Sequence, residues 1–174
     1  YGHYSRIFER LERPHLLYLA LILHDTGKAN EKRKDHSTDG AKISQRVGKR
    51  LGLDKGEIRT LCYLVEEHLT MATVSQRRDL DDRSVIESHA QLAQFPEHVD
   101  LLTLLTFADS MGTSKDMWNG FKDGLLRSLH YQTYEALSTE TTHRIAQSKL
   151  RSHLRKKVEP KLPTNIHKDE IDAH

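Results

Sequence analysis

A histidine and an aspartate stand side by side at the end of the most apolar stretch of the chain. Pro14 opens the stretch, and the apolar run of residues 16–23 leads directly to His24 and Asp25. A helix that is apolar on nearly every side is expected in the centre of a protein. An imidazole and a carboxylate at its end are costly unless they pair with each other or bind a metal. The pair is therefore a candidate for metal chemistry.

Three further candidates occupy comparable places on later predicted helices. His68 follows apolar residues three, four and seven positions earlier, so we expect it on the apolar face of its helix. Asp109 follows leucines four and seven positions earlier in the same way. His36 lies just before a predicted helix, from where its side chain can reach the end of a neighbouring one. Four elements thus each offer an imidazole or a carboxylate from an inward position.

This mixture of ligands indicates a divalent metal centre. Imidazole and carboxylate together suit manganese, iron, zinc or nickel, whereas oxygen-rich sites suit magnesium. Two metals about 4 Å apart can share a carboxylate and activate a water for attack on phosphorus. Asp25 is the natural bridge, and Lys28 can neutralise charge that develops on the phosphoryl oxygens. The chemistry that these residues suggest is hydrolysis of a phosphate ester.

Each candidate also has an ordinary structural interpretation. His24 and Asp25 can simply hydrogen-bond to each other, and His68 can be a satisfied core histidine. Asp109 can cap the turn that follows it, His36 can be solvated, and Lys28 can be a surface charge. A metal centre requires that the four elements bring these side chains to one place.

The elements are predicted to be helices throughout, which makes the chain an all-α helical bundle. Gly27 is expected to stop the first apolar helix, and Asp81 or Asp82 to cap a later one. Residues 71–81 lack a clear period, and Trp118 and Phe121 are expected in the core. The predicted helices cover residues 14–24, about 38–51, about 55–69, about 82–92, 96–109, a stretch around 118–129 and about 140–158.

Composition narrows the class of protein and its partners. Of 174 residues, 36% are hydrophobic and 30% are charged, and the net charge is only +2. The longest apolar run, residues 16–23, is too short to span a bilayer, and so small a net charge does not favour nucleic acid. The basic residues around 149–157 are expected to form a solvated helix face, the alternative being contact with nucleic acid or an acidic partner. Cys62 is the only cysteine, which favours a reducing cytoplasmic setting. The chain begins without methionine, so it is interpreted as part of a longer protein.

The ordered pattern His-Asp, His, His, Asp on helices resembles the HD superfamily of metal-dependent phosphohydrolases. Within it, the chain is most similar to the HD domain of bacterial PII uridylyltransferase/uridylyl-removing enzymes. The segments that carry this resemblance are LLYLALILHDTGKA, DHSTDGAKI, LVEEHLTM, SQRRDLDD and ADSMGTSKDMWNGFKDGLL, between residues 8 and 137. The tail segment LPTNIHKDEIDAH is similar to the part that leads toward that family's C-terminal regulatory domains.

The resemblance implies an activity, a cofactor and a set of partners. The expected activity is removal of uridylyl groups from the PII nitrogen-signalling protein, with a divalent metal, manganese or magnesium in the first place. Flanking nucleotidyltransferase and glutamine-sensing ACT domains are expected in the full-length protein. Metal-ligand roles are implied for His24, Asp25, His36, His68 and Asp109, and a phosphate or partner role for Arg77 and Arg78.

One departure from the superfamily pattern keeps alternatives open. The pattern begins with a further histidine on a helix upstream of the His-Asp pair, and His3 stands too near the next helix to replace it. We therefore interpret residues 1–137 as an HD domain without its first helix, and residues 138–174 as a basic helix and polar tail. The alternatives are hydrolysis of a nucleotide or cyclic dinucleotide, or a catalytically silent regulatory module.

Overall fold

The computed structural model describes residues 2–29, 36–113 and 118–158, with side chains described as far as residue 139. Within these residues the chain is helical and contains no strand, so the predicted all-α class is confirmed. The helices are α1 (Gly2–Glu9), α2 (Pro14–Leu23), a 3₁₀ turn (Thr26–Ala29), α3 (His36–Arg50), α4 (Lys55–Glu66), α5 (Thr70–Arg77), α6 (Arg83–Ala93), α7 (Pro96–Thr113) and α8 (Gly120–Val158).

The chain divides into two compact units, residues 1–137 and residues 138–174. The first unit contains α1 to α7 and the first part of α8. The second contains the remainder of α8. None of the helices in the described part of the chain is long and apolar enough to cross a membrane.

Helix ends follow local chemistry where the sequence offers a cap. Pro14 occupies the first turn of α2, where its missing N–H costs nothing. Asp54 and Glu57 form a reciprocal capping box at the start of α4. Asp82 accepts a hydrogen bond from the backbone N–H of Ser84 at 2.9 Å, as predicted for the start of α6.

Gly27 is not the helix stop that the sequence suggested. The helix α2 ends at Leu23, and among the glycines of the described chain only Gly52 has a positive φ. Gly27 is buried in the 3₁₀ turn, where an added Cβ would meet the carbonyl oxygen of His36 and lie 2.8 Å from the backbone nitrogen of Gly40. The residue therefore lets the turn approach the backbone of α3 closely.

The core of the first unit is built around α7. Its residues 99–106 are buried without interruption, and α7 contacts α1, α2, α4, α5 and α6. The expectation that α2 is the central helix is only partly right, because Tyr18 and Ile22 on α2 are 53% and 72% exposed. An all-apolar helix is therefore fully buried only where other elements pack against all of its sides.

Three local expectations were wrong. The helix α5, Thr70–Arg77, covers most of the segment 71–81, in which no helical period was found, and the two helices expected after Trp118 are one continuous α8. Phe121 is 75% exposed and lies outside the core, while Trp118 packs edge-on against Phe107 with ring centroids 5.5 Å apart. Helical spacing therefore identifies a core residue only when another element packs against the face of the helix on which the residue lies.

A matched pair of isoleucines tests whether α1 belongs to this core. Ile7 on α1 is 1% exposed, whereas Ile22 on α2 is 72% exposed. We expect Ile7→Val to lower the free energy of unfolding by about 0.5–1.5 kcal/mol, because a buried methylene is lost. The same substitution at Ile22 should have almost no effect. Urea denaturation measures both, and equal effects would show that α1 does not pack as described.

Candidate metal centre

The His-Asp pair meets Asp109 at the C-terminal end of α2. The Nε2 atom of His24 lies 3.3 Å from Oδ1 of Asp109 and 3.5 Å from Oδ2 of Asp25. His24 occupies the C-cap of α2, and its backbone N–H donates to the carbonyl of Ala20 at 2.8 Å. Asp109 comes from the second half of α7. The end of one apolar helix and the side of another thus bring an imidazole and two carboxylates together.

His68 faces the other oxygen of Asp25, and His36 lies close to both of these residues. The Nε2 atom of His68 lies 3.8 Å from Oδ1 of Asp25, and ligand atoms of Asp25, His36 and His68 all lie within 4.8 Å of one another. The ring centroids of His36 and His68 are 5.6 Å apart, and those of His24 and His68 are 5.3 Å apart. The structure therefore brings His24, Asp25, His36 and His68 together, and Asp109 joins them through its contact with His24.

Two of these residues reach the centre from positions that differ from the prediction. His68 lies in the turn between α4 and α5 rather than on the helical face, because α4 ends at Glu66. His36 is the first residue of α3 rather than the residue before it. His36 is at the start of α3 and His68 is just beyond the end of α4, and ligand atoms of both rings lie within 4.8 Å of one of Asp25.

The imidazoles are oriented by hydrogen bonds to the backbone. Nδ1 of His24 lies 2.9 Å from the carbonyl oxygen of Leu21, and Nδ1 of His68 lies 2.7 Å from that of Val65. A carbonyl oxygen can only accept, so Nδ1 carries the proton and Nε2 of the neutral ring keeps its lone pair. Metal-binding histidines commonly have this arrangement.

The donor atoms of this centre are arranged to bind a divalent cation rather than to hydrogen-bond to one another. The Nε2 atoms of His36 and His68 are buried and have no hydrogen-bond partner among the described residues. Buried nitrogen atoms without a partner are costly, and a cation among His24, Asp25, His36, His68 and Asp109 would satisfy them. The set of three imidazoles and two carboxylates is suited to manganese, iron or zinc.

The charges around Asp25 favour its ionised form. Burial alone would raise the pKa of the Asp25 carboxyl, but the hydrogen bond from Lys28 and the charges of His24, Lys28 and His68 outweigh it and lower that pKa. Burial also lowers the pKa of His68. At neutral pH the centre therefore contains an anionic carboxylate and a neutral imidazole, which are the forms that bind a metal.

The other proposed site residues lie at different distances from this centre. Lys28 is adjacent to the centre, because its Nζ lies 2.7 Å from Oδ2 of Asp25. Its side chain is 59% exposed. Arg77 and Arg78 are exposed at the C-terminal end of α5, and no contact in the described chain joins them to the five ligands. Arg78 lines a cavity between α5 and α6 of about 310 Å³. His3 packs against His130, with ring centroids 5.1 Å apart.

A second polar cluster was missed by sequence reasoning. Asp100 on α7 accepts hydrogen bonds from both Nε and Nη2 of Arg10 and lies 2.8 Å from Nε2 of His130. The side chains of Asp100 and His130 are 7% and 6% exposed. No local pattern indicates this pairing, because Asp100 and His130 are 30 residues apart in the chain. The cluster joins the turn that follows α1 to α7 and α8.

Another buried histidine, His89, makes the stability of the fold depend on pH. It is 3% exposed, and burial lowers its pKa to about 4 from the ordinary 6.5. Between these values the unfolded chain binds more protons than the folded chain, so the free energy of unfolding falls as the pH drops.

We expect His89→Asn to flatten this dependence between pH 6.5 and 4. The slope should decrease by up to about 1.4 kcal/mol per pH unit, which corresponds to one proton. Urea denaturation at several pH values measures the slope. Above pH 7 the slopes of the two chains should agree, and equal slopes at every pH would contradict the assignment.

The helical fold and the convergent His-Asp centre define a domain of the HD type. The HD domain family matches residues 3–100, and the chain belongs to that family. The resemblance identified from the sequence is confirmed.

Seven similar curated proteins share one printed name, bifunctional uridylyltransferase/uridylyl-removing enzyme. The protein from Bradyrhizobium diazoefficiens is 45% identical over 129 residues, which are 74% of this chain and 14% of that protein. The protein from Nitrobacter winogradskyi is 41% identical over 137 residues, 79% of this chain and 14% of that protein. The protein from Ruegeria pomeroyi is 43% identical over 122 residues, which are 70% of this chain and 13% of that protein. The chain thus spans about a seventh of these relatives, and no solved structure matches it significantly.

Proposed function

We propose that this chain is the uridylyl-removing domain of a PII-modifying enzyme, a metal-dependent phosphodiester hydrolase. The observation that carries the proposal is the convergence of Asp25 with the buried, unpartnered Nε2 atoms of His36 and His68. The printed name of the relatives supports the choice of the uridylyl group. A PII-type protein as its carrier follows from the resemblance of the segments around the ligands.

In this proposal Asp25 links the two halves of the centre. Its Oδ1 faces His68, and its Oδ2 faces His24. His24 and Asp109 form one half, and His36 and His68 form the other. A divalent cation held by these residues, manganese in the first place, would neutralise the phosphoryl oxygens and activate water for attack on phosphorus. The backbone bonds of His24 and His68 keep their rings oriented, so the ligands need not reorganise.

Lys28 has the position of a substrate-binding cation. Its ammonium group is held next to Asp25, and more than half of the side chain faces solvent. A phosphodiester oxygen that approaches Asp25 comes within reach of this charge. Lys28 then stabilises the negative charge that develops on that oxygen during attack. Arg77 and Arg78 are proposed to contact the substrate farther from the reacting phosphorus.

Release of uridine monophosphate from uridylylated PII tests the proposal. The chain is incubated with manganese and either uridylylated PII, a panel of nucleotides or cyclic dinucleotides, and product formation is followed by chromatography. We expect uridylylated PII to have the highest kcat/KM and a chelator to stop its hydrolysis. A nucleotide or cyclic dinucleotide with a higher kcat/KM would contradict the proposed substrate.

The organisation of a longer protein follows as part of the same proposal. Residues 1–137 form the hydrolase unit, and residues 138–174 lead toward a further domain. Nucleotidyltransferase and ACT domains on either side, and a location in the cytoplasm, agree with the resemblance.

A further inference from the structure

Four basic residues follow one another along the face of α3 that is turned away from the core. They are Lys42, Arg46, Lys49 and Arg50, and all four are exposed. With about 3.6 residues per turn, they lie within about 100° of the helix circumference. The buried residues of α3, Gly40, Ser44 and Gly48, occupy the opposite side. We call the four the basic stripe.

The described residues around the basic stripe neutralise little of its charge. In the described part of the chain, only Lys42 pairs with a carboxylate, that of Asp39 at 3.4 Å. No carboxylate of those residues pairs with Arg46, Lys49 or Arg50. Cations in the last turn of a helix interact favourably with the helix dipole, and this interaction explains the positions of Lys49 and Arg50. This explanation does not extend to Lys42 and Arg46, which lie earlier in α3.

The stripe begins beside the metal centre. A cavity of about 330 Å³ lies between the turn Thr26–Ala29 and residues 39–46 of α3, and Lys42 and Arg46 are among its lining residues. The turn directly follows Asp25, and α3 begins with His36. The helix rises about 1.5 Å per residue, so Lys42 lies about 9 Å along the axis from His36 and Arg50 about 12 Å farther.

We infer that the basic stripe binds an acidic segment of the protein that carries the scissile phosphodiester. The inference rests on the proposed function, because a metal centre that acts on a protein-bound ester needs a surface beside it for the carrier protein. An acidic surface would be steered toward the stripe and held there by its charges. Nucleic acid fits less well, because the stripe covers only about 12 Å of helix axis and the whole chain has a net charge of +2.

The test compares two substrates that contain the same uridylyl group. One is uridylylated PII, and the other is the p-nitrophenyl ester of uridine 5′-phosphate, which has no protein part. In the double variant Lys42→Glu/Arg46→Glu, we expect the ratio of kcat/KM for the protein to kcat/KM for the small ester to fall at least about tenfold. The loss should appear in KM and shrink at high salt, because salt screens exposed charges.

An exposed arginine elsewhere supplies the control. Arg83 on α6 is 90% exposed, and Arg83→Glu changes the charge by the same amount as Arg46→Glu. The inference is overturned if Arg46→Glu and Arg83→Glu lower the ratio of the two kcat/KM values equally. It is also overturned if the double variant leaves this ratio within twofold of that of the unsubstituted chain. Thermal melting of each variant checks that the fold is retained.

Direct binding separates this inference from the proposed function. The dissociation constant of uridylylated PII is measured by calorimetry for the unsubstituted chain, the double variant and Arg83→Glu. If neither substrate is hydrolysed, the proposed function fails, while weaker binding by the double variant alone still supports the stripe. Equal binding by all three chains overturns it, as does Arg46-dependent binding of an RNA oligonucleotide without binding of uridylylated PII.

Discussion

Replacing Asp25 with alanine is expected to empty the metal centre and to reduce phosphodiester hydrolysis by roughly a thousandfold or more. Both oxygens of Asp25 face ligand histidines, one at 3.8 Å and the other at 3.5 Å. Without the carboxylate, the imidazoles of His24 and His68 lose the negative charge that holds a cation between them. Elemental analysis after incubation with manganese measures the metal, and release of uridine monophosphate measures the activity.

An aspartate outside the centre provides the control for this experiment. Asp81 is exposed in the segment before α6, and Asp81→Ala should leave both metal content and hydrolysis unchanged. Metal and activity that survive Asp25→Ala would rule out the centre described above. If the unsubstituted chain takes up no manganese, either the upstream histidine of the superfamily pattern is needed to bind the metal, or the domain is a regulatory module.

The second large effect is expected at Asp100. Replacing this residue with alanine should lower the free energy of unfolding by about 3 kcal/mol, at the lower end of the range for breaking a buried ion pair. The substitution leaves Arg10 and His130 without their carboxylate, and the side chain of His130 is only 6% exposed. Arg10 is 44% exposed and can recover water, which limits the loss.

An exposed ion pair tests whether burial is the cause. Arg83 and Glu87 on α6 are 90% and 54% exposed, and Glu87→Ala should cost at most about 1 kcal/mol. The loss in the free energy of unfolding for Asp100→Asn should lie between those for Asp100→Ala and Glu87→Ala, because an amide oxygen can still accept a hydrogen bond from His130. Urea denaturation of the three variants gives the order. Equal losses for Asp100→Ala and Glu87→Ala would mean that the Arg10–Asp100–His130 cluster does not join the turn after α1 to α7 and α8.

Local sequence determined the helices, their caps and the order of the chemical groups. The apolar runs of α2 and α7, the cap at Asp82 and Pro14 in the first turn of its helix all follow from interactions within a few residues. Such interactions depend little on the rest of the chain, so they are readable from the sequence. The pattern His-Asp, His, His, Asp was readable for the same reason and pointed to the family that was then found.

Only the tertiary structure decided where those groups meet and which faces remain open. Asp25 and His68 are separated by 43 positions in the sequence, and their approach depends on the turn after α2, on the packing of α3 against α4 and on the end of α4 at Glu66. The same packing leaves Ile22 and Phe121 in solvent although both have the spacing of core residues. It also pairs Asp100 with His130, which no local pattern indicates. Contacts between distant residues depend on how all the helices pack together, and no short stretch of sequence contains that information.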